Sequence, residues 1–203
     1  MSGLEQWEGR YSTNEYIFGT EPNAFLKAQA ARLRPGETAL AIADGEGRNG
    51  VWLAQQGLNV TSVDFSATAI EKARRLAQAR GVRINFECTD ISVREWSQDA
   101  FDVAAAIFFQ FAGPSLREQI FAGLRQTVKP GGLLFLQGYR PEQLTYKTGG
   151  PAQIENLYTR DMLERSFGDW DILDLCEHDE VLGEGSRHVG MSALIDLVAR
   201  KPR

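Results

Sequence analysis

The chain has 203 residues, of which 43% are hydrophobic and 24% are charged, and its formal net charge at pH 7 is -5. This length is enough for one well-buried domain and short for two, and the composition argues against wholesale disorder. The acidic balance leaves no basic stripe to meet phosphates, so we do not expect nucleic acid to be the main partner.

The cysteines and the first residues of the sequence indicate a reducing, cytoplasmic compartment. Cys88 and Cys176 lie far apart, which does not suit a disulfide framework and fits a reducing environment. The opening residues MSGLEQW have no apolar signal core, and no run approaches the roughly 18 apolar residues that span a bilayer. The sequence therefore predicts a soluble, cytoplasmic protein without membrane contact. Its two dispersed histidines and two cysteines predict no metal site.

The first predicted elements surround a glycine-rich loop. A helix-like run over residues 24–33 precedes a first strand over residues 38–43. The strand ends in a loop over residues 45–50, with the sequence GEGRNG, and the helix after it stops at Gly57. A strand, a tight glycine turn and a helix N-terminus together form a cradle for a nucleotide-like ligand.

The rest of the chain alternates strands with helices, which predicts an α/β fold with a doubly wound, mainly parallel sheet. Ser66 or Thr68 is expected to cap the helix that follows the second strand. The last two strands are predicted to form an antiparallel hairpin around a Gly-rich turn. The strands are expected over residues 59–63, 83–88, 101–108, 133–139, 170–182 and 189–200, and further helices end near residues 79, 127 and 167.

The glycine loop fits two ligand classes. Its literal G-x-G-x-x-G spacing is that of dinucleotide-binding proteins, which would make the chain an NAD(P)-dependent oxidoreductase. Glu46 disfavours a pyrophosphate at the helix N-terminus, although Arg48 could offset it. S-adenosylmethionine presents an ammonium and a carboxylate, so a loop with both signs suits it better. Asp64, which ends the second strand, fits either ligand because ribose diols need a carboxylate acceptor there.

Five segments occur in a recognisable order: the loop GEGRN, the strand end VTSVDFS, the pair TD, the turn VKPGG and the terminal hairpin. Together they resemble the class I S-adenosylmethionine-dependent methyltransferases over nearly the whole chain. The N-terminal WEGRYSTNEYIFGTEPNAFL resembles the small-molecule branch related to tellurite-resistance and thiopurine methyltransferases. The resemblance implies a single domain over residues 1–203, with an N-terminal cover segment (residues 1–34) and a Rossmann-like core (residues 35–203). That core would hold a seven-stranded, mostly parallel sheet with an antiparallel last strand.

The resemblance also implies S-adenosylmethionine as the cofactor and a small-molecule methyl acceptor. The chain is expected to be a monomer or weak dimer. Family members carry an acidic residue at the end of the first strand and a glycine two residues later, and here these positions are Ala41 and Ala43. Ala43 is expected to avoid a positive φ, and these two departures also fit a non-catalytic cofactor-binding domain. Asp44 is expected to contact the methionine ammonium in place of the missing acid. The implied cofactor-binding residues are Asp44, Gly45, Gly47, Asn49, Asp64, Phe65, Asp90 and Ile91.

No catalytic residue follows from the sequence. Methyl transfer from a sulfonium is an in-line displacement that mainly needs a positioned nucleophile, and a base is required only when that nucleophile keeps its proton near neutral pH. The candidates are Tyr11, Gln110 and Tyr139, each equally open to a packing role, whereas His188 is expected at the surface. A flat or soft apolar acceptor, such as a thiol or chalcogen compound, would suit an aromatic lining formed by Phe108, Phe109, Phe111 and Tyr139.

Overall fold

The structure is a computed structural model that describes residues 3–203. The helices are α1 (Gly3–Tyr11), α2 (Ala24–Ala28), α3 (Arg48–Gln55), α4 (Ala67–Ala79), α5 (Pro114–Thr127), α6 (Gln143–Tyr146) and α7 (Arg160–Phe167). The strands are β1 (Thr38–Ile42), β2 (Asn59–Asp64), β3 (Asn85–Cys88), β4 (Phe101–Ile107), β5 (Val128–Tyr139), β6 (Asp171–Glu184) and β7 (His188–Arg200). Short 3-10 turns lie at Ala30–Arg32 and Ile154–Asn156.

The strands form a seven-stranded sheet in the order β3-β2-β1-β4-β5-β7-β6. The pairs β1–β2, β2–β3 and β4–β5 are parallel, and β7 runs antiparallel to β5. This arrangement confirms the predicted doubly wound, mostly parallel sheet with an antiparallel end. Parallel strands need long crossover connections, and the helices between them supply those connections.

The chain forms two compact units. The first contains residues up to Arg94 together with Glu184–Arg187, and the second contains Glu95–Gly183 and His188–Arg203. In the first unit, β1 is buried from Ala39 to Ile42, as expected of a strand whose two faces are both covered. The single domain over residues 1–203 stays a prediction.

Local capping explains where the helices of the first unit begin. The Ser66 hydroxyl accepts a hydrogen bond from the Ala69 amide at 3.1 Å, so Ser66 is the cap of α4. Thr68 instead donates its hydroxyl hydrogen to Glu8 on α1. The sequence pattern did not predict α1, because its apolar side is recognisable only from contacts with distant segments.

In the second unit, β5 begins earlier than predicted. The strand starts at Val128, so the Lys-Pro-Gly-Gly segment lies within it, and Gly131 takes a φ of 82°. The pairing of β4 with β5 shifts register between Phe101 and Val103, which accommodates this irregular start. A buried aromatic cluster of Phe109, Phe121 and Tyr158 fills the core behind these strands.

Ala43 corrects an expectation from the sequence. Its φ is 47°, in the left-handed region that an alanine was expected to avoid. The chain turns out of β1 here, while the next residue still bonds to β2 through the Asp44 amide and the Val63 carbonyl at 3.1 Å. The backbone thus keeps a conformation that suits glycine, and a left-handed alanine costs roughly 1–2 kcal/mol.

Replacing Ala43 with Gly should therefore raise the free energy of unfolding by about 1 kcal/mol, because the strain outweighs the extra chain entropy of glycine. Urea denaturation at fixed pH measures the change. The matched control is Ala41→Gly, inside β1 and 1% exposed, which should lower the same free energy by about 1 kcal/mol. A destabilised Ala43→Gly variant would contradict the assignment of strain.

Candidate functional site

The glycine loop lies at the carboxyl end of β1 and leads into α3. Gly45 and Gly47 have φ values of 56° and 85°. A Cβ atom on Gly47 would stand 2.6 Å from the Cβ of Ala73 on α4, so only glycine lets the loop pass this helix. Gly47 is therefore required for packing against α4, and its cofactor role stays a prediction.

Asp64 holds the loop from the end of β2. Its Oδ2 accepts from the Gly45 amide at 2.8 Å, and its Oδ1 accepts from the Ser66 amide at 2.9 Å. Burial raises the pKa of this carboxyl group to about 6, although the backbone amides of Ser66 and Gly45 oppose the shift. A carboxylate can accept further hydrogen bonds on its remaining lone pairs, which leaves Asp64 able to receive ribose hydroxyls.

Asp44 is a second buried carboxyl group beneath the loop. Its Oδ2 accepts from the Ser62 hydroxyl at 2.7 Å, and the Gly50 amide donates to both of its oxygens at 3.2 Å. Burial raises its pKa to about 7. Asp44 thus anchors the start of α3 to β2, and its contact with a methionine ammonium stays a prediction.

Glu46 forms a buried ion pair with Lys72 of α4, and both side chains are only 2% exposed. The other Glu46 oxygen accepts from the Phe18 amide at 3.3 Å, in the N-terminal cover segment. The negative charge in the middle of the loop is therefore balanced by Lys72 and turned away from solvent. This explains how a Gly-rich loop with the spacing of a phosphate-binding loop tolerates a glutamate.

Arg48 and Asn49 at the start of α3 also bind protein partners. The Arg48 guanidinium forms a 2.8 Å ion pair with Glu184, whose other oxygen accepts from the Ala24 amide at 3.1 Å. The Asn49 side-chain oxygen accepts from the Asn23 amide at 2.9 Å. Both loop side chains thus stabilise the N-terminus of α2, Asn49 directly and Arg48 through Glu184. The cofactor role of Asn49 stays a prediction.

Tyr11 lies against the loop, as the candidate role requires. A Cβ atom on Gly45 would stand 2.8 Å from the Tyr11 hydroxyl oxygen. The ring is buried and stacks on Trp7 with a centroid distance of 5.5 Å. Burial, followed by the nearby charge of Asp64, raises the pKa of Tyr11 well above its ordinary value. The hydroxyl therefore stays protonated at neutral pH and can donate a hydrogen bond.

The remaining predicted cofactor residues follow β2 and β3. The Thr89 amide donates to the Asp64 carbonyl at 2.9 Å, which joins the turn after β3 to the end of β2. Asp90 is exposed, and its Oδ1 accepts from the Ser92 amide at 2.8 Å. Ile91 is buried and Phe65 is half-buried. These positions fit an adenine edge, and their roles stay predictions.

In the second unit, Gln110 and Tyr139 come together after β4 and β5. The Gln110 amide group donates to the Tyr139 carbonyl at 2.8 Å and accepts from the Tyr139 backbone amide at 2.5 Å. It also donates to the Asn156 carbonyl at 3.1 Å. Gln110 therefore fixes the end of β5 through the backbone, and its candidate catalytic role stays a prediction.

The expected aromatic lining takes a different form. Phe109 is 1% exposed in the core, whereas Phe111 is 42% exposed. Phe108 instead packs on Tyr139 and on His188, with centroid distances of 4.8 Å and 4.5 Å. We call these three residues the aromatic corner. His188 is half-buried there rather than on the surface, because the first residue of β7 lies against the end of β4.

Phe108 has a φ of 54°, a left-handed conformation that is rare for an aromatic residue. Such strain persists only where the surrounding structure enforces it, and it is common at functional sites. Within residues 3–203, no group of three or more His, Cys, Asp or Glu side chains could hold a metal ion. Over the same residues, none of the helices has both the length and the apolar content to cross a membrane.

Comparison with protein families places the glycine loop in a known domain. A family model described as a methyltransferase domain matches residues 39–132. The chain is 30% identical over 100 residues to a ubiquinone biosynthesis O-methyltransferase of Coxiella burnetii, covering 49% of this chain and 42% of that protein. It is 30% identical over 95 residues to ribosomal RNA small subunit methyltransferase B of Thermus thermophilus, covering 45% of this chain and 24% of that one. The chain thus spans less than half the length of these relatives.

Solved structures share the fold at low identity. A SAM-dependent methyltransferase from Methanosarcina mazei has a TM-score of 0.71 and 18% identity, over 90% of this chain and 99% of that one. The fold is that of the S-adenosylmethionine-dependent methyltransferases. TehB from Haemophilus influenzae has a TM-score of 0.73 and 17% identity, over 98% and 66% of the two chains. N-methyltransferase NodS from Bradyrhizobium japonicum WM9, in complex with S-adenosyl-L-homocysteine, has a TM-score of 0.73 and 14% identity, over 98% of each chain.

These matches show similarity to a methyltransferase domain over residues 39–132 and the fold of S-adenosylmethionine-dependent methyltransferases. Sequence reasoning missed one residue of the site, Lys72. A signal was present, because Lys72 lies in the apolar stripe of α4, three residues after Ala69 and four before Leu76. A lysine at such a position needs a buried partner, which here is Glu46.

The raised pKa of Asp44 predicts a pH-dependent stability. An unfolded Asp titrates near a pKa of about 3.9, so up to about pH 7 the folded chain keeps a proton that the unfolded chain has released. Stability should therefore fall as the pH rises. Between pH 6 and 7 the folded Asp44 carboxyl releases part of its proton, so the loss that Asp44 causes over this interval should be about 1 kcal/mol.

The variant Asp44→Asn should lack this loss between pH 6 and 7, as measured by urea denaturation at each pH. The matched control is Asp161→Asn, at an exposed position in α7, which should keep the slope of the native chain. A native chain whose stability is flat over this interval would contradict the burial of Asp44.

Proposed function

We propose that the protein transfers a methyl group from S-adenosylmethionine to a small-molecule acceptor. The observation that carries the proposal is the charge balance around the glycine loop. Both nearby cations are paired within the first unit, Lys72 with Glu46 and Arg48 with Glu184. Asp44 and Asp64 lie beneath the loop and accept hydrogen bonds from backbone amides and from the Ser62 hydroxyl, while the charge of Arg48 opposes part of the raised pKa of Asp44.

This balance favours a cationic ligand over a dinucleotide. The pyrophosphate of NAD would place negative charge against a helix start whose arginine is already bound to a carboxylate, close to two further carboxyl groups. S-adenosylmethionine carries a sulfonium and an ammonium, which the mostly ionised Asp64 and the ionised fraction of Asp44 would stabilise near neutral pH. The residues present therefore fit this cofactor, with Asp64 for the ribose and the backbone of the loop for the methionine end.

When bound, S-adenosylmethionine supplies an electrophilic methyl group on its sulfonium. The chain contributes position and shielding, since an in-line displacement gains most of its rate from orientation. Gly45 and Gly47 provide a side-chain-free surface, and Asp64 holds Gly45 in place. Tyr11 covers the loop with a protonated hydroxyl group that can donate to a bound ligand.

We further propose a small, flat or soft acceptor such as a thiol or chalcogen compound. The aromatic corner supports this class, because polarizable groups interact favourably with aromatic rings. The net charge of -5 disfavours RNA, although one partial relative is a ribosomal RNA methyltransferase. The tellurite-resistance and thiopurine branch stays our proposal, supported by the N-terminal segment.

The proposed location is cytoplasmic and the proposed state is a monomer or weak dimer. Cys88 and Cys176 are both free and exposed, which suits a reducing compartment. A non-catalytic cofactor-binding domain is the second candidate, since Ala41 and Ala43 depart from the family pattern. It differs in predicting cofactor binding without any methylated product.

Calorimetric titration with S-adenosyl-L-homocysteine should show binding. Replacing Asp64 with Asn should weaken it roughly tenfold, or about 1.4 kcal/mol, because a charged hydrogen bond to the ribose is lost. The control Asp161→Asn should bind as the native chain does. No heat at millimolar ligand would refute the proposed function, and an unchanged affinity of the Asp64→Asn variant would remove Asp64 from the site.

Titration with NADH, followed by energy transfer from tryptophan, should give no signal, whereas binding would favour the oxidoreductase. A panel of thiols, selenols, phenols and ribosomal RNA, with labelled S-adenosylmethionine, should give product from a small molecule. Product from RNA alone would contradict the proposed acceptor class. Binding without product from any acceptor would favour the non-catalytic domain.

A further inference from the structure

We propose that Lys72 is a positioning residue that latches the N-terminal cover segment onto the glycine loop and so controls cofactor release. The proposal rests on the proposed function, because it assumes that the loop binds S-adenosylmethionine. The latch consists of Lys72, Glu46 and the cover backbone between Tyr11 and Phe18. None of these groups takes part in the transfer itself.

The Lys72 ammonium group binds the cover through backbone carbonyl groups. Nζ donates to the carbonyl oxygens of Tyr11, Thr13 and Glu15 at 3.4, 3.0 and 2.6 Å. Tyr11 is the last residue of α1, so the ammonium also lies at the negative end of that helix. Three carbonyls from one short segment thus converge on a single buried cation.

Glu46 attaches the loop to the same cation and to the cover. Its carboxylate pairs with Lys72, and its Oε2 accepts from the Phe18 amide at 3.3 Å. The Tyr16 hydroxyl adds a 2.9 Å hydrogen bond to the Lys72 carbonyl, and Nζ stands 5.2 Å from the centre of that ring. The cover is therefore hydrogen-bonded to both members of one buried ion pair, Lys72 and Glu46.

This arrangement couples the cover to the conformation of the loop. Glu46 lies between Gly45 and Gly47, so its contacts with Lys72 and with the Phe18 amide tether this part of the loop to α4 and to the cover. The Tyr11 hydroxyl, held by the same cover, stands beside Gly45. A ligand on the loop would be enclosed by the cover, and its release would require the Lys72 contacts to break.

A second ion pair joins the cover to the end of α4 and provides a matched control. Arg80 and Glu21 are 2.7 Å apart, with side chains 37% and 73% exposed. An exposed pair contributes little to stability because solvent screens it. If any charged link to the cover were sufficient, removing this pair would have the same effect as removing the latch.

The test compares the double variant Lys72→Met/Glu46→Gln with Arg80→Met and the native chain. The double variant removes both buried charges together, so no unpaired ion is left in the core. The amide oxygen that replaces the Glu46 carboxylate can still accept from the Phe18 amide. Hydrogen–deuterium exchange of residues 11–19 reports the cover without any ligand. Stopped-flow tryptophan fluorescence reports the dissociation rate of S-adenosyl-L-homocysteine.

We expect exchange and dissociation to be at least roughly tenfold faster in the double variant, and unchanged in Arg80→Met. The KM for S-adenosylmethionine should rise by a similar factor while kcat falls by less than about twofold, a split that a loss of folded protein would not produce. Equal exchange and dissociation rates in a folded double variant would overturn the latch while leaving the proposed function intact.

A lowered kcat with an unchanged KM would also overturn the latch, since it would indicate a loss of active protein. Failure of the native chain to bind S-adenosyl-L-homocysteine would instead refute the proposed function. The effect of Lys72 on release would fall with it, whatever the exchange rates.

Discussion

The buried ion pair between Glu46 and Lys72 is the constraint on which the first unit depends. It joins the glycine loop, α4 and the N-terminal cover segment at one point, and both side chains are almost fully removed from solvent. Removing only one partner of such a pair typically costs about 3–5 kcal/mol, because the other charge is left buried and uncompensated. The relative positions of the loop, α4 and the cover therefore depend on the same ion pair.

The side chains and the backbone of the loop have different partners. The side chains of Glu46, Arg48 and Asn49 bind protein partners, and so do not compete with a ligand for the backbone of Gly45 and Gly47. The literal G-x-G-x-x-G spacing suggests a pyrophosphate, but it does not show which partners the charged side chains of the loop bind. Once the cations are paired, the carboxyl groups beneath the loop favour a positively charged ligand.

Much of the fold was predictable, because parallel strands and their helices leave local signals. The strand β2 ended at Asp64 as predicted, and the terminal hairpin lies where its Gly-rich turn indicated. The site was less predictable. Lys72 meets Tyr11 across 61 positions of the chain, and no local pattern encodes such a contact. The left-handed Ala43 was also missed, since the sequence shows a preferred conformation and not the one that the surrounding strands impose.

We propose that the loop side chains hold the cover while the loop backbone and Asp64 contact the cofactor. A crystal structure with S-adenosyl-L-homocysteine tests it most directly. The ligand should lie against Gly45 and Gly47 with its ribose on Asp64, and Glu46 should still be paired with Lys72 beneath a closed cover. A ligand bound elsewhere, or a Glu46 carboxylate that leaves Lys72 to contact the ligand, would contradict it.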